Sequence, residues 1–251
     1  MSVLQAAGYY GKFPELGDFV KRRLPGSFVD SWDGWLQSCL QCSKDNLEDR
    51  WLGIFLESPV WRFCLSSGLC GEAPWAGLLM PSVDRVGRYF PLTLACELPK
   101  NSNLFHIAMK GQSWFDAAEE LMLGMLQSKD FNLERFDDIV IGLGTLDTLA
   151  EYAPESEGLG FGSAWCIPLG HGDHLGAAVL GLMQQMVQLQ IGGHSLWWSR
   201  GSEQVASSLL LVRDLPSDLN FTAMLDGDWT GRNWEVMPVT VAEPENLARG
   251  P

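Results

Sequence analysis

Two arginines and an aspartate lie close together in the stretch MPSVDRVGRYFPL, which spans residues 80–92. Asp84, Arg85 and Arg88 stand there beside two aromatic residues, and Arg62 occurs upstream. Guanidinium groups bind carboxylates and phosphates through two parallel hydrogen bonds, so these four residues could form the anion clamp of a hydrolytic enzyme. No nucleophile or general base accompanies them at a credible position, which makes the enzyme the weaker hypothesis.

The same stretch has two interpretations without catalysis. Gly87 suits a tight turn that needs a positive φ angle, and Asp84 could pair with an arginine of its own loop and fix the turn. Arg85 and Arg88 could instead face another protein, because arginine and aromatic residues often dominate binding energy. We expect Asp84 to form an internal structural pair, and both interpretations stay open for the two arginines.

Histidine and cysteine motifs elsewhere are weak signals for a metal. Cys39 and Cys42 form a C-x-x-C without a second pair, and they continue an apolar stripe at helical spacing, which favours burial. His171 and His174 flank Asp173 just before a predicted helix, which favours a loop with Asp173 as the N-cap.

A glycine-rich motif and an acidic motif each lack residues that a dinucleotide-binding loop or a calcium loop requires. Gly142 and Gly144 follow an apolar run, but Asp147 stands where a dinucleotide-binding loop needs a third glycine. The DGD at residues 226–228 lacks the other ligands of a calcium loop. We therefore expect no enzyme, no metal and no cofactor.

Charge excludes two classes of partner. The chain of 251 residues has a net charge of −14. Residues 1–100 are nearly balanced, with 10 basic and 11 acidic side chains, whereas residues 101–251 carry 7 basic and 20 acidic ones. Such an acidic surface repels nucleic acid and anionic lipid.

The N-terminus lacks the pattern of a signal peptide, and no apolar run is long enough for a membrane span. We therefore expect a cytoplasmic protein.

The elements that must position these residues follow from hydrophobic periodicity and breakers. Apolar runs predict strands, the first of them broken at Ser58-Pro59, and amphipathic stretches predict helices, the first capped by Ser27. Strands are predicted within residues 52–66, 75–80, 88–98, 163–169, 195–200 and 207–215. Helices are predicted within residues 27–42, 103–127, 132–138, 173–190 and 218–227.

The order of these elements predicts an α+β fold. The strands fall into two groups with helices before, between and after them, and regular strand–helix–strand alternation is missing. We expect an α/β/α sandwich with a mostly antiparallel sheet flanked by helices. No linker divides the chain, although a seam is possible near residues 128–132.

Three blocks of the sequence resemble the TagF/ImpM family of type VI secretion-associated proteins. They are GKFPELGDF at residues 11–19, SPVWRF at 58–63 and PSVDRVGRYFPL at 81–92, and they occur in the order of the family. The likeness extends over about residues 8–227 and implies a TagF-like α/β domain at 1–227 followed by a C-terminal tail at 228–251.

The resemblance implies a cytoplasmic accessory protein that represses the type VI secretion system after translation. Family members do so by binding a scaffold protein with a forkhead-associated (FHA) domain. Some members carry a metal-dependent phosphatase, whose motifs are missing here, so we do not expect that activity. The alternatives are a structural subunit of the apparatus and the anion-binding enzyme described above. The oligomeric state stays open.

We expect the partner to contact charged and aromatic residues of the three blocks. These predicted binding residues are Lys12, Asp18, Trp61, Arg62, Arg85 and Arg88.

Overall fold

The computed structural model describes residues 6–127, 130–146 and 175–237. In these residues seven strands form one sheet. They are β1 (Gly8–Gly11), β2 (Val20–Arg22), β3 (Trp61–Leu65), β4 (Trp75–Met80), β5 (Leu92–Glu97), β6 (His194–Ser199) and β7 (Ser208–Arg213). The helices of the described ranges are α1 (Gly26–Leu47), α2 (Trp51–Glu57), α3 (Leu104–Lys110), α4 (Gln112–Gln127), α5 (Leu133–Gly142), α6 (Leu175–Ile191) and α7 (Asp218–Asp226).

The sheet has the strand order β2-β1-β5-β4-β3-β6-β7, and every pair of neighbouring strands is antiparallel. Helices cover both faces of its centre, so β3 and β4 are buried along their whole length. A strand covered on both faces reads as a continuous apolar run, and WAGLLM of β4 is such a run. The predicted α+β sandwich is confirmed.

One face of the sheet packs against α1, α2 and α7 around a group of tryptophans. Trp32 of α1 lies fully buried, with its ring centroid 6.0 Å from that of Trp197 in β6. Its indole N–H donates to Thr93 Oγ1 in β5 at 2.8 Å. Without this acceptor the buried N–H would have no hydrogen-bond partner. This hydrogen bond fixes α1 over the centre of the sheet.

The other face packs against α3, α4 and α5. Phe115 of α4 is fully buried and lies edge-on to Trp198 of β6, at 4.8 Å between centroids. Phe136 of α5 contacts Tyr9 and Phe13 in the same edge-on manner, at 5.3 Å each. The aromatic rings thus join β1 and β6 to one helical layer.

Two predicted elements differ from the structure. The run at residues 52–57, predicted as a strand, forms the helix α2, and the break at Ser58 then precedes β3. An apolar run this short suits either state, and the packing of α2 beside α1 and α7 decides for the helix. The helix predicted over residues 103–127 is two helices, which Gly111 separates.

Both ends of the first helix also differ from the prediction. α1 begins at Gly26 after Pro25, and no side chain caps it, so Ser27 is not its N-cap. The helix continues past residue 42 to Leu47. Pro25 already holds an extended backbone and accepts the first helical bond from Val29, which replaces a capping side chain.

The packed chain extends beyond residue 227, where the predicted tail starts. Trp229 lies edge-on to Trp61 and to Trp234, and Trp234 donates its indole N–H to the Asn220 carbonyl oxygen at 3.1 Å. The strand predicted at 163–169 and residues 128–129 of the predicted seam lie outside the described residues. None of the described helices combines the length and the apolar character needed to cross a membrane.

Candidate functional site

Asp84 lies at the centre of a buried ionic network in the turn between β4 and β5. Its side chain has no exposed surface, and Lys12 Nζ lies 2.5 Å from its Oδ2. Arg88 Nε donates to the same oxygen at 2.7 Å. The backbone amides of Val86 and Arg88 donate to Oδ1 at 3.0 and 2.8 Å. Four donors therefore satisfy one carboxylate, which fixes the turn from inside.

The turn itself has the geometry that its sequence favours. Gly87 has a φ of 83°, a left-handed conformation that suits glycine. The Asp84 N–H donates to the Arg88 carbonyl at 3.0 Å, and a bridge joins Val83 to Tyr89 on either side. The stretch MPSVDRVGRYFPL is thus the connection between β4 and β5, and backbone and side-chain hydrogen bonds close its tip.

The segment after β1 is fastened to this turn at several points. Besides the contact between Lys12 and Asp84, the Ser82 hydroxyl donates to the Lys12 carbonyl at 2.7 Å. The Arg85 amide donates to the Leu16 carbonyl at 3.1 Å. The first and third sequence blocks therefore form one rigid unit, although 72 residues separate Lys12 from Asp84.

Five of the exposed side chains of this unit come from the β4–β5 turn and from the end of the first block, and we name them the loop surface. Val86 is 64% and Phe19 is 47% exposed, so the unit presents two large apolar side chains to solvent. The full set is Asp18, Phe19, Arg85, Val86 and Arg88. Arginine, an aromatic ring and an aliphatic side chain on a rigid backbone are typical of a protein-binding surface.

Phe19 is exposed and yet held in place. Its ring lies edge-on to Phe90 at 4.8 Å between centroids and stacks on Tyr10 at 5.6 Å. The Lys12 ammonium lies 4.8 Å from the centroid of the same ring. A partner would therefore meet an aromatic side chain that loses little conformational entropy on binding.

The electrostatics of the network centre on the Asp84 carboxyl. Burial alone would raise the pKa of Asp84, because it disfavours the charged form. The hydrogen bonds from Lys12, Arg88 and Val86 outweigh burial and lower the pKa of Asp84 well below its ordinary value. The carboxylate is thus ionised across the physiological range, and it serves as an anchor rather than as a proton donor.

Arg62 lies in a different network, on the face of the sheet covered by α4. Its side chain is 2% exposed, and its Nε donates to Glu119 Oε2 at 2.8 Å. Its two terminal nitrogens donate to Asp116 at 2.7 Å and to Gln112 at 2.9 Å. Arg200 joins from the surface at 2.6 Å from the same Asp116 oxygen. The guanidinium of Arg62 is thus fully occupied within the fold.

The structure separates the six predicted binding residues into two groups. Asp18, Arg85 and Arg88 belong to the loop surface. Lys12, Trp61 and Arg62 are buried, at 4%, 2% and 2% exposure, and we do not include them in that surface. Trp61 packs in the core, where its indole N–H donates to the carbonyl of Met224 at 3.1 Å. Direct contact with a partner would require these buried side chains to leave bonds that they already make.

The four residues of the possible anion clamp do not converge on one point. Arg62 is held by the acidic side of α4, whereas Asp84 and Arg88 pair with each other at the β4–β5 turn. Arg85 lies exposed beside them. An anion clamp needs guanidinium donors that face a common space, and the two best-ordered arginines here already face carboxylates.

Cysteines and histidines form no metal site within the described ranges, where no group of three potential ligands occurs. Cys39 is buried and the nearby Asp218 carboxylate lies 3.6 Å from its sulfur, so burial first and this charge second raise the pKa of its thiol. Burial likewise raises the pKa of Cys96 to about 12. Thiols with such pKa values are not activated nucleophiles. Cys42 is half-buried.

Several motifs of the sequence can be placed, and others lie outside the described residues. Gly142 ends α5, and Gly144 has a φ of 68° in the turn that follows, so this pair belongs to a helix terminus. Asp147, His171 and His174 lie outside the described residues, as do Asp173 and Cys166.

Phe19 and Val86 were not among the predicted binding residues, and the sequence did not indicate that Lys12 pairs with Asp84. Phe19 ends the first block and directly follows Asp18. This position beside a charged residue of the block is the sequence feature that could have indicated it. Nothing local marks Lys12 as the partner of Asp84, because antiparallel pairing of β1 with β5 brings them together.

Comparison with known proteins now places the chain. The N-terminal domain family of TagF, described as type VI secretion system-associated, matches residues 8–142. The chain belongs to the TagF family. It is therefore a type VI secretion-associated protein, and the resemblance of its three blocks is confirmed.

A solved structure is similar to this chain beyond the matched TagF domain. The crystal structure of PA0076 from Pseudomonas aeruginosa PAO1 superposes with a TM-score of 0.76 at 34% identity. The alignment covers 95% of this chain and 100% of PA0076. No curated protein matches the chain. The fold shared with PA0076 thus extends beyond the matched domain, over nearly the whole of this chain.

Proposed function

We propose that this TagF chain is a non-enzymatic, cytoplasmic, post-translational repressor of the type VI secretion system. It acts by binding an FHA-type scaffold protein. Family membership and the loop surface support this proposal together. The observation that carries it is the loop surface, where an exposed arginine and two exposed apolar side chains lie on two segments that are joined through the hydrogen bonds to Asp84. A rigid surface of this composition suits recognition of another protein.

The charges on the loop surface also suit a selective contact. Arg85 carries its guanidinium outward, and among the described residues no carboxylate forms a salt bridge with it. The Arg88 side chain is 55% exposed, but its Nε donates a hydrogen bond to Asp84. Arg85 is therefore available to a carboxylate or phosphate of the partner, and Arg88 mainly supports the turn.

A capture experiment tests the scaffold contact. The tagged chain is incubated with the secretion-system FHA scaffold of the same organism, and retained scaffold is quantified. We expect Arg85→Ala to reduce capture about tenfold, since a charge-assisted contact at an interface is worth roughly 1.4 kcal/mol or more. Arg213→Ala removes an exposed arginine of β7, near the opposite edge of the sheet from β1, and should leave capture unchanged.

A secretion assay tests repression. Deletion of the chain should increase effector release under conditions that keep the system inactive, and the Arg85→Ala variant should restore repression only in part. Unchanged release on deletion, together with no capture of the scaffold, would contradict the proposal. Co-purification in fixed stoichiometry with the assembled apparatus would instead favour a structural subunit.

A ligand panel tests the absence of catalysis. Phosphorylated compounds and nucleotides should not raise the thermal unfolding midpoint, because the described arginines are either paired internally or exposed singly. A clear shift that disappears in Arg85→Ala would favour the anion-binding enzyme.

A further inference from the structure

The two edges of the sheet differ in how they meet solvent. β2 has three residues, Lys21 and Arg22 among them, and Arg22 pairs with Glu134 at 3.0 Å. Shortness and charge are the usual means by which an edge strand avoids pairing with another chain. β7 has six residues, and its interior at 209–212 is LLLV, without charge, proline or bulge. β7 lacks the protection that β2 has.

The hydrogen bond at the C-terminal end of β7 shows which of its backbone N–H and C=O groups face β6. The Asp214 amide donates to the Gly193 carbonyl at 2.9 Å, and this pair continues the β6–β7 register. Hydrogen-bonded pairs alternate along an antiparallel ladder, so the amides and carbonyls of Leu209, Leu211 and Arg213 point away from β6. Within the described ranges no strand lies on that side. As far as the described part of the chain is concerned, the edge therefore offers a row of unpaired donors and acceptors.

The side chains of the same residues are exposed and apolar. Leu209 is 69% and Leu211 is 44% exposed. They lie next to Trp198 and Leu196 of β6, on the face that α3 and α4 cover nearer the centre of the sheet. Exposed leucines beside an unpaired backbone favour association with another strand.

Helix α6, which packs on β6 and α3, is also uncharged. α6 contains no Asp, Glu, Lys or Arg in its 17 residues. Leu175, Val179, Met183 and Met186 are exposed along one stripe of it. The interior of β7 and the whole of α6 are thus neutral in a chain whose net charge is −14.

We propose that a second copy of this chain pairs with β7, antiparallel and across a two-fold axis, so that one sheet continues through both copies. Two molecules with a net charge of −14 each repel one another least where their surfaces carry no charge. An antiparallel strand pair is self-complementary, as an isologous dimer requires.

The register that best fits this pairing has Leu210 at the axis. Leu209 of each copy then faces Leu211 of the other, and all four leucines lie on one face of the joined sheet. The outward backbone groups of both strands become hydrogen-bonded in the same step. A strand of an unrelated protein would share the backbone bonds, but the reciprocal leucine pairs arise from the sequence of β7 itself.

The oligomeric state of the full chain tests the proposal. Light scattering coupled to size-exclusion chromatography should give twice the chain mass for the native protein. The Leu209→Lys plus Leu211→Lys variant should elute as a monomer with an unchanged circular dichroism spectrum, because both side chains are exposed. Leu52→Lys plus Leu56→Lys makes the same change on exposed leucines of α2 and should remain dimeric.

Hydrogen exchange of the native protein gives a second test that needs no variant. The amides of Leu209 and Leu211 should be protected at high concentration and lose protection on dilution. A native chain that stays monomeric at its highest soluble concentration would overturn the proposal. A dimer that survives the β7 substitutions, or one in which these two amides exchange freely, would overturn it as well.

Discussion

Asp84 shows how one buried carboxylate organises two distant stretches of sequence. The sequence predicts an internal pair between Asp84 and an arginine of its loop, and the structure places Arg88 there at 2.7 Å. It adds Lys12, which no local pattern reveals because strand pairing brings it in. Arg88 also donates to the Gly17 carbonyl, so one arginine bridges both segments. The chemistry of the site was thus predictable from residue types, whereas its connectivity required the fold.

The Asp84 carboxylate should make stability depend on pH on the acidic side. Its pKa is lowered in the folded chain, so its contribution is fully present above the ordinary value of about 4 and is lost as pH falls below that value toward the folded pKa. We expect the difference in unfolding free energy between the native chain and Asp84→Asn to shrink over this acidic range. Urea unfolding at a series of pH values measures it.

The matched control for this pH series is Asp30→Asn, which changes an exposed carboxylate of α1. Its difference from the native chain should stay small at every pH. A native-to-Asp84→Asn difference that stays constant down to about pH 2, well below the ordinary pKa of aspartate, would contradict the anchoring role.

Arg62 gives a second prediction at the scale of a residue. Arg62→Met leaves Glu119 as a buried carboxylate without its cation, and such changes cost about 3–5 kcal/mol. Urea unfolding at neutral pH should show this loss. The double variant Arg62→Met plus Glu119→Gln should lose less, because it removes the uncompensated charge. Equal losses in the two variants would show that packing, rather than charge, makes Arg62 necessary.

At the scale of elements, burial on both faces explains which strands the sequence predicts well. β4 is an apolar run that lies at 75–80 as predicted, and β6 lies at 194–199, one residue before its predicted range. α2 has an equally apolar sequence, LGIFLE, and becomes a helix. Periodicity could not separate the two because a run of six residues fits either template. The deciding contacts, with α1 and α7, come from distant parts of the chain.

Gly77 in the middle of β4 is required by close packing within the sheet. A methyl group there would overlap the Leu94 carbonyl oxygen and lie 2.7 Å from the Phe63 ring. We expect Gly77→Ala to destabilise the fold by about 1–3 kcal/mol, as overpacked cores do. Thermal or urea unfolding measures the loss.

Gly34 provides the contrasting glycine for that experiment. It lies exposed inside α1, and a methyl group there would meet nothing within 4 Å. Gly34→Ala should raise stability by about 0.5–1 kcal/mol, because alanine loses less backbone freedom in a helix. If both substitutions had the same sign, the close approach at Gly77 would not be the cause.

At the scale of the whole molecule, the sheet joins two parts of the chain that differ in charge. β1 to β5 come from the nearly balanced first 100 residues, and β6 and β7 come from the acidic remainder. The α+β class could be predicted from the order of elements. The strand order could not, because the pairing of β3 with β6 joins residues 62–65 to 195–198 without any local signal.

This joining predicts that the matched TagF domain is not a folding unit by itself. A chain truncated after residue 142 would lose β6, β7 and α7 and would expose β3 as a new edge. The tryptophan-rich face would lose Trp197, Phe221 and Met224 together. Loss of these side chains, at about 3–5 kcal/mol for each of the two aromatic residues and about 2–5 kcal/mol for the methionine, is comparable with the whole stability of an ordinary domain, about 5–15 kcal/mol.

We therefore expect residues 1–142 alone to show no cooperative thermal transition and to be cleaved rapidly by protease at β3, while the full chain resists. Circular dichroism during heating and limited proteolysis followed by mass spectrometry measure both. A truncated chain that unfolds cooperatively, with β3 protected, would show that the second core, between the sheet and α3, α4 and α5, sustains the fold alone. It would also show that β6 and β7 are an addition to the TagF domain rather than part of its core.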